Sequence, residues 1–317
     1  MSLRIPGVAG VAGAAGRPSA QLGEIPTGAP KRTALPEIYE AQPGDAMPSI
    51  CLVGASGSGK TYQLGKLIAA LRAQGKATIV LSVESKHQGL APYKPLILPL
   101  GAPIKDTLSG AIRMPSATEK YHRLLAFRDA LRNGEFRSHN GLPVGALVTD
   151  GLTEMGNVIK THLFDTLPQG GDTFRVYRQL GDDLLNVMAA LKEAASDAGK
   201  AYGLEPMAIV ATCVETVDGG KFKVLMPGNV APDNFAQQFE VVLRLAVEPE
   251  SANSPNMIHV AHTMPGEVMF PQSGRWDAKA PLGIFEKRIV NPDLGVIYDK
   301  LTAYYRGESL TEGEVGK

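Results

Sequence analysis

Residues 50 to 61 read Ile-Cys-Leu-Val-Gly-Ala-Ser-Gly-Ser-Gly-Lys-Thr, and the rest of the chain is read outward from them. Gly54, Gly59, Lys60 and Thr61 satisfy a phosphate-binding loop pattern: two glycines bracketing four residues, then Lys-Thr. Glycines at this spacing, with Gly57 between them, let the backbone curl so that successive amide N–H groups point at phosphate oxygens. Ser56, Ser58 and Tyr62 fall within or directly after the loop and complete the candidate nucleotide contacts. Lys60 carries a point charge for the outer phosphates, and the Thr61 hydroxyl is a candidate Mg²⁺ ligand. A helix opening at this point turns its positive end toward the anion.

The flanks support that reading. Ile50 to Val53 is a short apolar run suited to a buried strand. Leu64, Leu67, Ile68 and Leu71 then recur at helical spacing until Gly75 offers a C-terminal cap. Further along, Ala77–Val83 reads as a second strand ending at Glu84, followed by a proline-broken stretch, Pro92 to Pro103, around Leu96-Ile97-Leu98. Ser116 with Glu119 is a capping box that opens a helix running to Asn133-Gly134. Val144 to Asp150 is a third strand, closing on a carboxylate about ninety residues after the loop. A polar, glycine-containing segment, Thr161 to Asp172, precedes a long helix marked by Leu180, Leu184, Val187, Met188 and Leu191.

Strands dominate the last third: Ala208–Cys213, Lys221–Met226 behind the turn Asp218-Gly219-Gly220, Val241–Val247, Met257–Thr263 and Val268–Phe270. Asn291-Pro292 reads as an N-cap with proline at the first helical position. Alternating strands and helices followed by strands alone predict an α/β fold, a largely parallel sheet flanked by helices with antiparallel C-terminal strands. The expected organisation is a Gly/Ala/Pro-rich flexible arm over 1–47, one domain over 48–306 and a loose tail over 307–317.

Formal net charge is zero, so no global field draws the chain to nucleic acid or to an anionic membrane. Its two cysteines, Cys51 and Cys213, lie in apolar runs. Reduced buried thiols in a cytoplasmic protein follow, rather than a disulfide framework. No apolar stretch approaches a membrane span, and the N-terminus is too glycine-rich for a signal peptide. His259 and His262, three apart on one predicted strand, point to opposite faces and make a poor metal pair.

Asp150 is the candidate Mg²⁺ carboxylate. Three glutamates past strand ends, Glu84, Glu154 and Glu215, compete to position the attacking water; Glu84 is preferred because it follows the strand after the loop's helix. Thr212 is a candidate γ-phosphate sensor. Lys221, Phe222 and Lys223 form a candidate single-stranded DNA contact by charge and stacking.

The order of phosphate loop, Glu84 strand, Asp150 strand and Thr212 strand resembles the RecA-like ATPase core. The chain resembles in particular the small single-domain RecA-like ATPases encoded by bacteriophages. The stretches that carry the likeness are 54–61, Val-Thr-Asp-Gly-Leu-Thr-Glu at 148–154, Ala-Thr-Cys-Val-Glu at 211–215, Met-Pro-Gly-Asn-Val-Ala at 226–231, Phe-Glu-Val-Val-Leu-Arg-Leu at 239–245 and Trp-Asp-Ala-Lys at 276–279. The resemblance implies MgATP hydrolysis, a homo-oligomeric ring or filament, action on DNA in recombination or replication, and the host cytoplasm as location. It also implies a C-terminal Lys-x-Arg pair reaching into the neighbour's site; Lys279 remains, but Pro281 stands where the arginine would be. A nucleotide-binding structural or assembly protein with weak or no turnover is the alternative. A small-molecule phosphotransferase ranks below both, because no arginine-rich lid is evident.

Overall fold

The structure, a computed structural model of the 317-residue chain, describes residues 47–83, 87–105, 110–168, 170–201, 206–227, 238–251, 254–268 and 274–308. All of these belong to the unit Ala41–Lys317; the unit Met1–Glu40 lies outside the described residues. So do nearly all of the expected arm, most of the expected tail, and Glu84.

β1 (Ser49–Gly54) is buried along its whole length and lies at the centre of the sheet. Parallel neighbours flank it: β8 (Ala208–Asp218) on one side and β10 (Val241–Pro249) on the other. Beyond β8 come β7 (Leu142–Asp150), β2 (Ala77–Ser82) and β3 (Leu96–Pro99), all parallel. Beyond β10 come β11 (Met257–His262) and β14 (Arg288–Val290), each antiparallel to its predecessor. This is the α/β fold class expected from the sequence, a largely parallel sheet flanked by helices with antiparallel C-terminal strands. Three short strands complete the set: β4 (Ile104–Lys105) and β5 (Ile112–Arg113), which form a separate ribbon, and β6 (Ser138–His139), which pairs with β7.

Alternation along β1 divides the core in two. Cys51 and Val53 face α2 (Ala117–Arg132), α3 (Leu152–Asp165) and α4 (Thr173–Ala201). Ile50 and Leu52 face α1 (Lys60–Ala73) and α5 (Leu294–Tyr305). Burial on both faces explains why the strands read as unbroken apolar runs. α4 buries Leu180, Leu184, Val187, Met188 and Leu191, the stripe expected from the sequence.

β8 is longer than expected. Its second half leaves the parallel ladder and pairs antiparallel with β9 (Lys221–Val224) through Gly219 and Gly220, both at positive φ as a tight two-residue turn requires. β13 (Gly274–Trp276) adds parallel to β9, and β12 (Gly266–Val268) antiparallel to β13, making a ribbon that continues from the far half of β8. α5 is capped by Asp293 and not by Asn291: Asp293 Oδ1 accepts from the Gly295 and Val296 amides, and Pro292 lies outside the helix. α3 runs to Asp165, into the segment expected to be irregular.

Candidate functional site

The phosphate loop leaves β1 at Gly54 and enters α1 at Lys60. Gly54 packs so closely that an added Cβ would collide with the Leu245 carbonyl and the Ser58 hydroxyl. Gly57 and Gly59 both take positive φ, 83° and 95°. Gly59 is the N-cap of α1, has no side chain to satisfy the first-turn amides, and no acidic residue follows in that turn. Such an end leaves first-turn amides open to an anion from outside the helix. Ser58 is buried, and its hydroxyl has no hydrogen-bond partner among the described residues.

Lys60 folds back over this loop, its Nζ donating to the Gly54 carbonyl at 2.7 Å and the Ala55 carbonyl at 2.8 Å. Burial pushes its pKa down, while the carboxylates of Glu215 and, less strongly, Asp150 pull it up. Across the cleft, Asp150 ends β7. Thr212 joins it to the backbone: the Gly151 amide donates to Thr212 Oγ1 at 2.9 Å, and that hydroxyl donates to Asp150 Oδ1 at 2.8 Å. A second tie, the Val214 amide to Thr153 Oγ1 at 3.3 Å, fixes the start of α3 to β8. Ser56, Gly57, Gly59, Lys60, Thr61, Tyr62, Asp150, Glu154 and Thr212 all line one cleft of about 440 Å³.

Thr61 and Asp150 are hard oxygen donors that both line that cleft, the donor type Mg²⁺ takes. Among the described residues no group of three or more His, Cys, Asp or Glu side chains could hold an ion alone. Thr61 and Asp150 therefore suit an ion shared with phosphate oxygens, the usual arrangement for Mg²⁺.

The other sequence candidates fall in three places. Glu154 borders the cleft and accepts weakly from Asn157 Nδ2 at 3.4 Å. Glu215 is clamped in a buried bidentate pair with Arg244, 2.9 and 3.1 Å, which suits it poorly to accept a proton from water. Phe222 lies on the hairpin with the Arg244 guanidinium 4.1 Å from its ring centroid. Lys223 pairs with Asp218 at 3.4 Å, whereas Lys221 is exposed. Lys279 is exposed, its backbone bridged to Val242 at the start of β10. Cys51 and Cys213 are buried free thiols with sulfurs 3.8 Å apart, and burial pushes the Cys213 pKa up.

Two contributors escaped the sequence reading. Gln63 is buried and bridges the Pro292 carbonyl and the Leu294 amide, at 2.7 and 2.9 Å, so it anchors α1 against the start of α5. Arg244 stands inside an apolar strand, and a charge in such a run signals a buried partner. His259 Nδ1 lies 3.4 Å from the Ser58 carbonyl, while His262 pairs with Glu248 at 2.6 Å on the other face of β11.

No protein-family model and no curated protein matches the chain. Among solved structures, a KaiC-like protein from the hyperthermophilic archaeon Pyrococcus horikoshii is 13% identical, over 68% of this chain and 78% of that one, with a TM-score of 0.38. A likeness of that size says nothing of function.

Proposed function

We propose that the chain binds MgATP at residues 54–62 and hydrolyses it, as a phage-type RecA-like protein acting on DNA in recombination or replication. The observation that carries the nucleotide reading is the uncapped start of α1. Its Gly59 N-cap faces the same cleft as Asp150, and Lys60 sits folded on the loop carbonyls where phosphate oxygens would replace them. Mg²⁺, when bound, supplies charge neutralisation between the β- and γ-phosphates. Lys60 contributes a positive charge to the same oxygens. Thr61 and Asp150 hold the ion, and Thr212 keeps the Asp150 carboxylate aimed. Glu84, one residue beyond the described end of the β2 segment, takes the water-positioning role in this reading.

The chain acts as a homo-oligomer in this proposal, with Lys279 offered to a neighbour's nucleotide and Lys221, Phe222 and Lys223 toward single-stranded DNA. The experiment is binding and turnover of MgATP by the full chain, with and without single-stranded DNA. Lys60→Ala is expected to abolish binding or turnover in a folded protein; unchanged activity would remove the nucleotide reading. Glu84→Gln is expected to keep ATP affinity and to lower turnover by about 10²-fold or more, the usual scale for losing a general base. If Glu154→Gln does this and Glu84→Gln does not, the base lies after β7. DNA stimulation that is lost when Lys221 and Lys223 become alanine supports the DNA role. Binding without turnover favours an assembly protein.

A further inference from the structure

A second hollow, of about 530 Å³, adjoins the phosphate cleft and shares Gly59 and Tyr62 with it. Its size is that of an ordinary small-molecule site. Its remaining walls come from α1, from His259 of β11 and from residues 291–293 before α5. His259 packs on the phosphate loop itself: its Nδ1 lies 3.4 Å from the Ser58 carbonyl oxygen, and a Cβ added to Gly59 would meet the same nitrogen at 3.4 Å. The Asn291 amide N–H in turn donates to the His259 carbonyl at 2.8 Å. Loop, strand and the approach to α5 thus form one continuous wall.

Most polar groups of this hollow are already engaged. Gln63 bonds the Pro292 carbonyl and the Leu294 amide. Asp293 caps α5 with Oδ1 and pairs with Lys66 through Oδ2 at 3.5 Å. The Tyr62 ring is 56% exposed. The Asn291 side-chain amide is exposed and has no hydrogen-bond partner among the described residues. Asn291 also stands at a φ of 48°, a conformation that glycine adopts at no steric cost. What asparagine adds there over glycine is the amide.

We infer that this hollow seats the adenine of the bound nucleotide, with the Tyr62 ring as its stacking face and the Asn291 amide reading its N6/N7 edge. The inference rests on the nucleotide reading above and adds the selectivity of the same site. Adenine presents a donor, N6–H₂, beside an acceptor, N7, and an amide meets both at once. Guanine presents N7 and O6 on that edge, two acceptors, so the amide oxygen finds no donor. The carboxylate of Asp293, which would attract the donors of guanine, has both oxygens occupied.

The test is calorimetric titration of the full chain with ATP, 7-deaza-ATP, GTP and tripolyphosphate, each with Mg²⁺, and with folding checked by circular dichroism. Wild type is expected to bind ATP about tenfold tighter than GTP, the scale of one bidentate amide–base pair. It should bind 7-deaza-ATP, which lacks the N7 acceptor, about fivefold more weakly than ATP, the scale of one hydrogen bond. Asn291→Gly, which suits the backbone, should bring ATP, 7-deaza-ATP and GTP to within about threefold of one another. Tyr62→Ala should weaken ATP and GTP together by about tenfold, more than it weakens tripolyphosphate, because a stacked base is lost. Wild type that binds 7-deaza-ATP or GTP as tightly as ATP overturns the inference without recourse to any variant. So does a folded Asn291→Gly that keeps the wild-type preference, or a Tyr62→Ala that weakens tripolyphosphate as much as ATP. Failure of the nucleotide reading looks different: wild type then binds none of the four, or Lys60→Ala binds them as wild type does, and the base seat falls with it.

Discussion

Thr212 shows how much a single hydroxyl can carry in this cleft. It accepts from the Gly151 amide and donates to Asp150 Oδ1, so one atom satisfies the left-handed turn into α3 and orients the carboxylate that the proposed function assigns to Mg²⁺. Thr212→Val keeps the shape and the branching but removes both bonds. The Gly151 amide then lacks its partner, at a cost of about 1–3 kcal/mol in a buried setting. Asp150 loses the donor that aims it. Two changes are expected together: a lower Tm, and a higher Mg²⁺ concentration for half-maximal binding of the nucleotide. Thr212→Ser should restore the second even where stability stays reduced. A normal Mg²⁺ requirement in Thr212→Val would show that the hydroxyl serves only the turn. The sequence placed Thr212 near the γ-phosphate, but its bond to Asp150 joins residues 62 apart in the chain and is visible only in the fold.

At the scale of elements, the parts legible in advance were those whose signals are local. β1, β7 and β10 read as apolar runs because each is buried on both faces. α2 could be read from its capping box, and the structure has both halves: the Glu119 amide donates to Ser116 Oγ at 3.2 Å, and the Ser116 amide to Glu119 Oε2 at 2.8 Å. Where two local signals competed, tertiary contacts decided. Asn291 and Asp293 are both cap-type residues, and the grip of Gln63 on the Pro292 carbonyl and Leu294 amide sets the helix start after Asp293. The extension of β8 into the hairpin ribbon and the Arg244–Glu215 bridge depend on segments far apart in sequence, so no window of residues announces them.

The α2 cap also gives a test with a defined sign. Arg113 forks onto Glu119 at 2.7 and 2.5 Å, and these bonds with the Ser116 amide hold the Glu119 carboxyl down to about 2. A carboxyl whose pKa is lower folded than unfolded stabilises the fold above its unfolded pKa, near 4.3, and loses that contribution as pH falls through its folded value. Thermal unfolding of wild type and Glu119→Gln should therefore differ by a constant amount near neutral pH, with the gap closing between about pH 4 and pH 2. A gap that does not narrow on acidification assigns the effect to the amide's capping geometry and not to charge. Ser116→Ala, which removes the other half of the box, is expected to cost about 1 kcal/mol at any pH in this range.

At the scale of the whole molecule the question is whether one chain holds a complete site. Lys279 bridges Val242, which stands opposite Cys51, three residues before Gly54. Its backbone thus lies about 10 Å back along the strands from the loop, at 3.3 Å per residue, on the side away from the cleft its own chain offers. Its side chain is exposed, and its charge acts with burial to depress the pKa of Lys192. A cation placed there serves its own nucleotide poorly and is available to a neighbour's. In the proposed oligomer it would stabilise charge developing on the γ-phosphate, a role worth about 10³-fold or more when an arginine fills it. Lysine lacks the bidentate fork, and Pro281 supplies no helper, so a smaller effect is expected. The decisive measurement mixes two inactive variants. Lys60→Ala subunits lack a working loop but keep Lys279; Lys279→Ala subunits keep the loop but lack the cation. ATPase activity that appears only on mixing places Lys279 across a subunit boundary. Full activity in Lys279→Ala alone ends the proposal, and a site that turns over slowly without help from a neighbour becomes the reading that fits Pro281 best.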